Sequence, residues 1–102
     1  MARMVLIYKT PVDTAAFDRH YFGTTVPLAK KFPGLRKYEV SQGPIETLSG
    51  PADFYLVATL HFDDMTAIQD ALASVEAHAL VIDLQSSKTD VPYLLLFDSR
   101  EV

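Results

Sequence analysis

Three histidines, five tyrosines and an adjacent threonine pair are the side chains here with chemistry to offer. His20 follows Phe17 by three residues and borders an apolar helical stripe. A partly buried imidazole in that place can serve as general base or acid near neutral pH. It equally suits a boundary histidine bonded to a nearby carboxylate or carbonyl, since no adjacent residue orients the ring as a base requires. His61 lies near the end of a β-patterned run, on the face with Tyr55 and Thr59. It reads as a polar group in a shared cavity or as a strand-end ring at a rim. His78 follows a helix start and reads as solvated. Taken singly, Tyr8, Tyr21, Tyr38, Tyr55 and Tyr93 are packed aromatics; several around one cavity would orient a carbonyl or phenolic ligand. Thr24 and Thr25, with the Gly23 carbonyl freed by Pro27, would form a polar notch facing the sheet, and capping accounts for Thr25 equally well. No HxxxH or HxH spacing marks a metal site. GxGxxG, P-loop and nucleophile-elbow motifs are absent as well. The expected site therefore uses no metal and no tightly bound cofactor.

These residues must be positioned by six main elements. Met4–Lys9 has the composition of a strand, and Pro11 ends it. Asp13 is a good N-cap for a helix whose inner face carries Phe17, Tyr21, Leu28 and Phe32. Pro27 cannot donate to the Gly23 carbonyl, so the helix is expected to kink or restart there with Thr25 as a new cap. Gly34 suits the left-handed position after the helix. Leu35–Ser41 is a second, polar strand suited to a sheet edge. Residues 42–52, marked by Gly43-Pro44 and Ser49-Gly50-Pro51, form a loop, of which Gly43–Pro51 could gate a site. Phe54–Phe62 is the third strand. Asp63 or Asp64 caps a helix carrying Met65, Ile68, Ala71 and Leu72. Ser74 caps its continuation, with Ala77, Leu80, Val81 and Leu84 inward. Pro92–Phe97 is the last strand. The order βαββαβ is the ferredoxin-like split unit, an α+β fold with a four-stranded antiparallel sheet and two helices on one face.

A chain of 102 residues makes one such domain, spanning 1–102. The net charge of −4 argues against nucleic acid as a partner. The basic cluster Lys30, Lys31, Arg36 and Lys37 brackets a helix end, where positive charge offsets the helix dipole. No apolar run is long enough to span a membrane, and no signal peptide begins the chain. With no cysteine present, a cytoplasmic location is the expectation.

The strands carry one further message. An antiparallel sheet covered on one face should alternate apolar with polar residues. Here Val5 and Ile7 lie opposite Met4, Leu6 and Tyr8, and Tyr93, Leu95 and Phe97 lie opposite Leu94 and Leu96. Two helices can cover only one face. Hiding about 600 Å² of the other would contribute on the order of 15 kcal/mol before association costs. A homodimer closed through the sheet faces is therefore expected.

The segments FDRHYFGTTVPLAKKFPGLRKYEV and FYLVATLHFDDMTAIQDALAS, together with the chain length, resemble the EthD family of the dimeric α+β barrel superfamily. The resemblance covers nearly the whole chain and is most specific at Val26-Pro27-Leu28, Pro33-Gly34-Leu35 and Phe62-Asp63. It implies a ferredoxin-like protomer and a dimeric barrel. It also implies an enzyme, possible oxidoreductase included, that acts on a small hydrophobic or aromatic molecule without a tightly bound cofactor; the alternative is a non-catalytic dimeric binding or accessory protein. Family members often carry His immediately before the Val-Pro-Leu motif, where this chain has Thr25, so a proton-carrying role of that His is either lost here or moved, with His20 the candidate to take it. The Asn and Trp with which cofactor-free monooxygenases of the superfamily hold aromatic substrates are both missing.

Overall fold

A computed structural model describes residues 1–86 and 92–102. Along the chain run β1 (Ala2–Lys9), α1 (Thr14–His20), a π-helical turn (Tyr21–Thr25), α2 (Val26–Ala29), β2 (Lys37–Val40), β3 (Glu46–Thr47), β4 (Gly50–Pro51), β5 (Phe54–Phe62), α3 (Met65–Leu72), α4 (Val75–Ser86) and β6 (Tyr93–Asp98). The long apolar strands take the middle of the sheet, whose order is β2-β5-β1-β6 with every pair antiparallel. The polar strand β2 lies at an edge, as its charges require. Backbone pairing runs one residue past each of its ends, through Arg36 N–H to the His61 carbonyl and Ser41 N–H to the Val57 carbonyl. Residues 42–52 are less irregular than their glycines and prolines suggest, because β3 and β4 pair as a small hairpin.

Alternation sorts the side chains into two layers. Ala2, Met4, Leu6 and Tyr8 of β1 and Leu56, Ala58, Leu60 and Phe62 of β5 are buried beneath Phe17, Tyr21, Ala29, Ile68, Ala71, Ala77 and Leu80 of the helices. Caps fix where those helices begin. The Asp13 carboxylate accepts from Ala16 N–H at 3.0 Å and the Asp64 carboxylate from Ala67 N–H at 2.8 Å. Ser74 Oγ accepts from Ala77 N–H and donates to the Ala71 carbonyl, joining α3 to α4. Gly34 has φ +78°, and the atoms nearest an added Cβ would be 3.9 Å away. Its backbone conformation, rather than lack of space, asks for glycine. Val81 points outward instead of inward; Ala77 and Leu80 form the buried face of α4, and Asp83 joins it.

The first helix corrects an expectation. It does not restart at Thr25, whose backbone is helical and whose side chain makes no capping bond. The chain instead widens, and Val26 N–H reaches back to the Tyr21 carbonyl. A wide turn lets Pro27 pass without the bond it cannot make. It also solves a spacing problem. Phe17, Tyr21, Thr25 and Ala29 are all buried at intervals of four. In an ordinary α-helix each such step drifts by about 40°; the wide turn absorbs the drift and keeps all four inward.

The opposite face of the sheet is bare. Lys37, His61, Arg3 and Phe97 stand side by side across the four strands, followed by Glu39, Thr59, Val5 and Leu95, then by Val57, Ile7 and Tyr93. Tyr93, Leu95 and Phe97 are 52%, 49% and 43% exposed. No described helix is long and apolar enough to cross a membrane.

Candidate functional site

Where α1 widens into the π-helical turn, its side chains meet α4. His20 Nε2 lies 2.8 Å from Asp83 Oδ1. The Thr25 hydroxyl donates to Asp83 Oδ2 at 2.9 Å. Asp83 is only 9% exposed, whereas His20 is 45% exposed. A buried carboxylate thus holds one edge of an imidazole whose remainder reaches solvent. That is the orienting group which the local sequence around His20 lacks. It comes from 63 positions downstream (83 − 20), from a helix whose sequence also carries Glu76 and His78 and gives Asp83 no mark of its own.

Beneath this trio lie the phenols. Tyr21 and Tyr38 hydroxyls are 2.6 Å apart. Burial pushes the Tyr21 phenol above its ordinary pKa, reinforced by Tyr38. Burial also raises Tyr38, opposed by its bond to Tyr21. Tyr8 is raised by burial, then by the nearby Tyr38 and Asp83. These groups are neutral at physiological pH. The Tyr21–Tyr38 bond consumes one of its two phenolic protons, leaving the other to offer to an oxygen acceptor. Tyr8, Phe17 and Tyr21 pack with centroid separations of 5.4–5.6 Å, which fixes the rings. The fold therefore gathers His20, Tyr8, Tyr21, Thr25 and Tyr38, five of the residues singled out from sequence, on the helix side of the sheet.

Of the other three, Tyr55 reaches the helix side at its margin, against Phe17 and Asp18, and His61 and Tyr93 lie on the opposite face. Tyr55 does not share the face of Thr59 and His61. The pairing slips where Tyr8 and Lys9 meet Leu56 and Phe54, so Tyr55 is the extra residue of a bulge. A bulge re-aims a side chain, and the Tyr55 hydroxyl reaches 2.9 Å from both Asp18 carboxylate oxygens on α1. That bond, aided by desolvation and the charge of Asp18, raises the Tyr55 pKa. His61 does lie on the bare face, bonded to Glu39 at 2.6 Å. Its bond is the main reason Glu39 falls below the usual carboxylate range. Tyr93 also lies on that face, edge-on to Phe54 and beneath Lys9 Nζ at 5.6 Å.

A cavity of about 390 Å³ opens beside the bulge, between Asp18, Phe22, Phe54, Tyr55 and the turn 41–44. Gly43 and Pro44 of this lining begin the segment read as a gate. No His20 atom lines this cavity. Asp18, Glu39 and Asp83, the three carboxylates that bind the singled-out side chains, escaped the sequence reading because each acts across 22 or more positions. Among the described residues, no group of three or more His, Cys, Asp or Glu side chains is arranged to hold a metal ion.

A four-stranded antiparallel sheet with helices packed on one face makes this an α+β, ferredoxin-like protein of the dimeric α+β barrel type. The chain belongs to the EthD family: the EthD domain matches residues 9–85. It is 30% identical, over 100% of its own length and 98% of the other, to an uncharacterized 11.0 kDa protein of the thcB–thcC intergenic region of Rhodococcus erythropolis. Its fold superposes with a TM-score of 0.87 on an EthD family protein from Bacillus halodurans, at 31% identity and covering 98% and 99% of the two chains. The cofactor-independent oxygenase SnoaB from Streptomyces nogalater shares the fold at TM-score 0.69 and 18% identity, covering 99% and 94%.

Proposed function

We propose that this protein is an enzyme that moves a proton on a small hydrophobic or aromatic molecule without a tightly bound cofactor. His20 is its general acid and base. Asp83 orients the ring, and the Tyr21–Tyr38 pair supplies a neutral donor to an oxygen of the substrate. The observation that carries this reading is the 2.8 Å contact between His20 and a buried Asp83 whose second oxygen is held by Thr25. A base needs such an orienting partner. An oxidoreductase outcome, in which the deprotonated substrate reacts directly with dioxygen, draws on the shared fold with SnoaB.

The functional unit in this reading is a homodimer, with a second copy stacked on the bare sheet face. Its support is the exposure of Tyr93, Leu95 and Phe97 and the buried Arg3 Nη1, which lacks a hydrogen-bond partner among the described residues. A non-catalytic dimeric binding or accessory role is favoured by a separate observation, that the 390 Å³ cavity lies away from His20.

A panel of phenols, naphthols and aryl ketones in D₂O separates the two roles. Exchange of acidic C–H protons is followed by NMR, and oxygen uptake by electrode. Wild type should accelerate one or more compounds, and His20→Ala should lower that rate by about 10²-fold or more. Equal rates for wild type and His20→Ala across the panel would remove the acid–base role and leave the binding role.

A further inference from the structure

The geometry points to the cavity beside the β5 bulge as a binding site for a small organic cation, an ammonium group carried on an aromatic or alkyl body. At about 390 Å³ the cavity falls within the range of small-molecule sites. Its polar anchor is Asp18. No Lys, Arg or His among the described residues pairs with that carboxylate. The Tyr55 phenol donates to it, at 2.9 Å from each oxygen. A neutral donor satisfies lone pairs and leaves the negative charge uncompensated. Tyr55 is also held in its protonated form by that same bond. The tyrosine therefore cannot take the counter-ion's place.

The remaining walls suit the other half of such a ligand. Phe22 and Phe54 are exposed large rings at the cavity mouth. Phe22 is fixed edge-on to Tyr21 at 5.2 Å, and Tyr55 edge-on to Phe17 at 5.3 Å. Aromatic faces attract cations, and a carboxylate gives an ammonium a charge-assisted hydrogen bond. An anion would meet the unneutralised Asp18, and a neutral oil would leave it without use. Two departures from regular geometry build the site: the wide turn carries Phe22 and the bulge carries Tyr55. Such irregularities concentrate at functional places. This inference stands apart from the role of His20.

Titration calorimetry and NMR on the full chain test it with three probes of one shape: benzylammonium, benzyl alcohol and phenylacetate. Benzylammonium should saturate below about 10 mM, move the Phe22 and Phe54 ring resonances, and weaken as salt is raised. Benzyl alcohol should bind at least about tenfold more weakly, and phenylacetate more weakly still. Asp18→Asn should lose about tenfold or more of the benzylammonium affinity. Tyr55→Phe should retain it, because the charge remains, and His20→Ala should leave it unchanged. Should Asp18→Asn not fold, Phe22→Ala makes the equivalent comparison through the ring. The inference is overturned if the alcohol binds as tightly as the ammonium, if Asp18→Asn or a folded Phe22→Ala keeps full affinity, or if no probe saturates. None of those results would touch the proton-transfer assay at His20.

Discussion

The two faces of the sheet treat polar groups in opposite ways. Under the helices, Tyr21 meets Tyr38, and Asp83 meets both His20 and Thr25. On the bare face, Glu39 joins His61, but Arg3 Nη1, between His61 and Phe97, is buried without a hydrogen-bond partner among the described residues. Burying a polar group without a bond costs on the order of 1–3 kcal/mol. One face therefore pairs its polar groups within a single chain, with Leu94 and Leu96 of β6 still open, while the other sets an apolar half, Val5, Val57, Ile7, Tyr93, Leu95 and Phe97, beside a polar edge of Lys37, Glu39 and His61.

The contrast breaks most visibly in assembly. Wild type should sediment as a dimer at micromolar concentration, and Leu95→Lys should weaken the dimer by at least about 100-fold, since it buries a charge in an apolar contact. A wild type that sediments only as single chains would end the dimer reading. Next comes Phe62→Ala, a fully buried side chain on the helix-covered side. It should cost about 3–5 kcal/mol in a urea melt, against less than about 1 kcal/mol for Leu95→Ala measured on the dissociated chain. Equal costs would mean that the two faces are alike in a single chain. Third, Asp83→Ala should lower stability by about 1–3 kcal/mol, because Thr25 loses its buried acceptor; Asp83→Asn should recover part of that loss.

Two titrations sharpen the contrast further. Tyr8, Tyr21 and Tyr38 have folded pKa values raised above the ordinary 10.0. Their protonated state is thus favoured by folding. The stability they contribute is fully present below pH 10 and is lost as pH rises past it. Absorbance at 295 nm should show these phenols ionising only with unfolding, whereas the urea-unfolded chain titrates near 10. Early ionisation would place them in contact with water. The smallest effect belongs to Glu39, whose pKa is lowered first by its bond to His61. Its contribution is present above the ordinary carboxylate value and disappears as pH falls through the folded one. Glu39→Gln should therefore flatten the acid limb of the stability curve slightly, measured as the urea midpoint against pH.

The elements and their order could be read from the sequence because each is announced within a few residues. Asp13 caps α1, the charges of β2 send it to an edge, and Gly34 takes the left-handed turn. The apolar excess on both faces of β1 and β6 was equally legible. What could not be read depends on contacts that no local pattern encodes. The widened turn arises from Pro27 together with the demand that four residues spaced by four all face inward. The bulge at Tyr55 moves that ring to the opposite layer from the one simple alternation assigns. Asp83 becomes a site residue only once α4 lies against α1. His20, Thr25, Tyr8, Tyr21 and Tyr38 were identifiable as side chains; their carboxylate was not.

The wide turn at 21–25 also means that the chain carries one residue of slack in its first helix. Removing Gly23 would let an ordinary α-helix close over the gap, and everything upstream would swing by about 100°. Phe17 and Asp18 would leave the core and the cavity while Thr25 and Ala29 kept their places. A single lost codon could thus dismantle the ring cluster without deleting any aromatic residue.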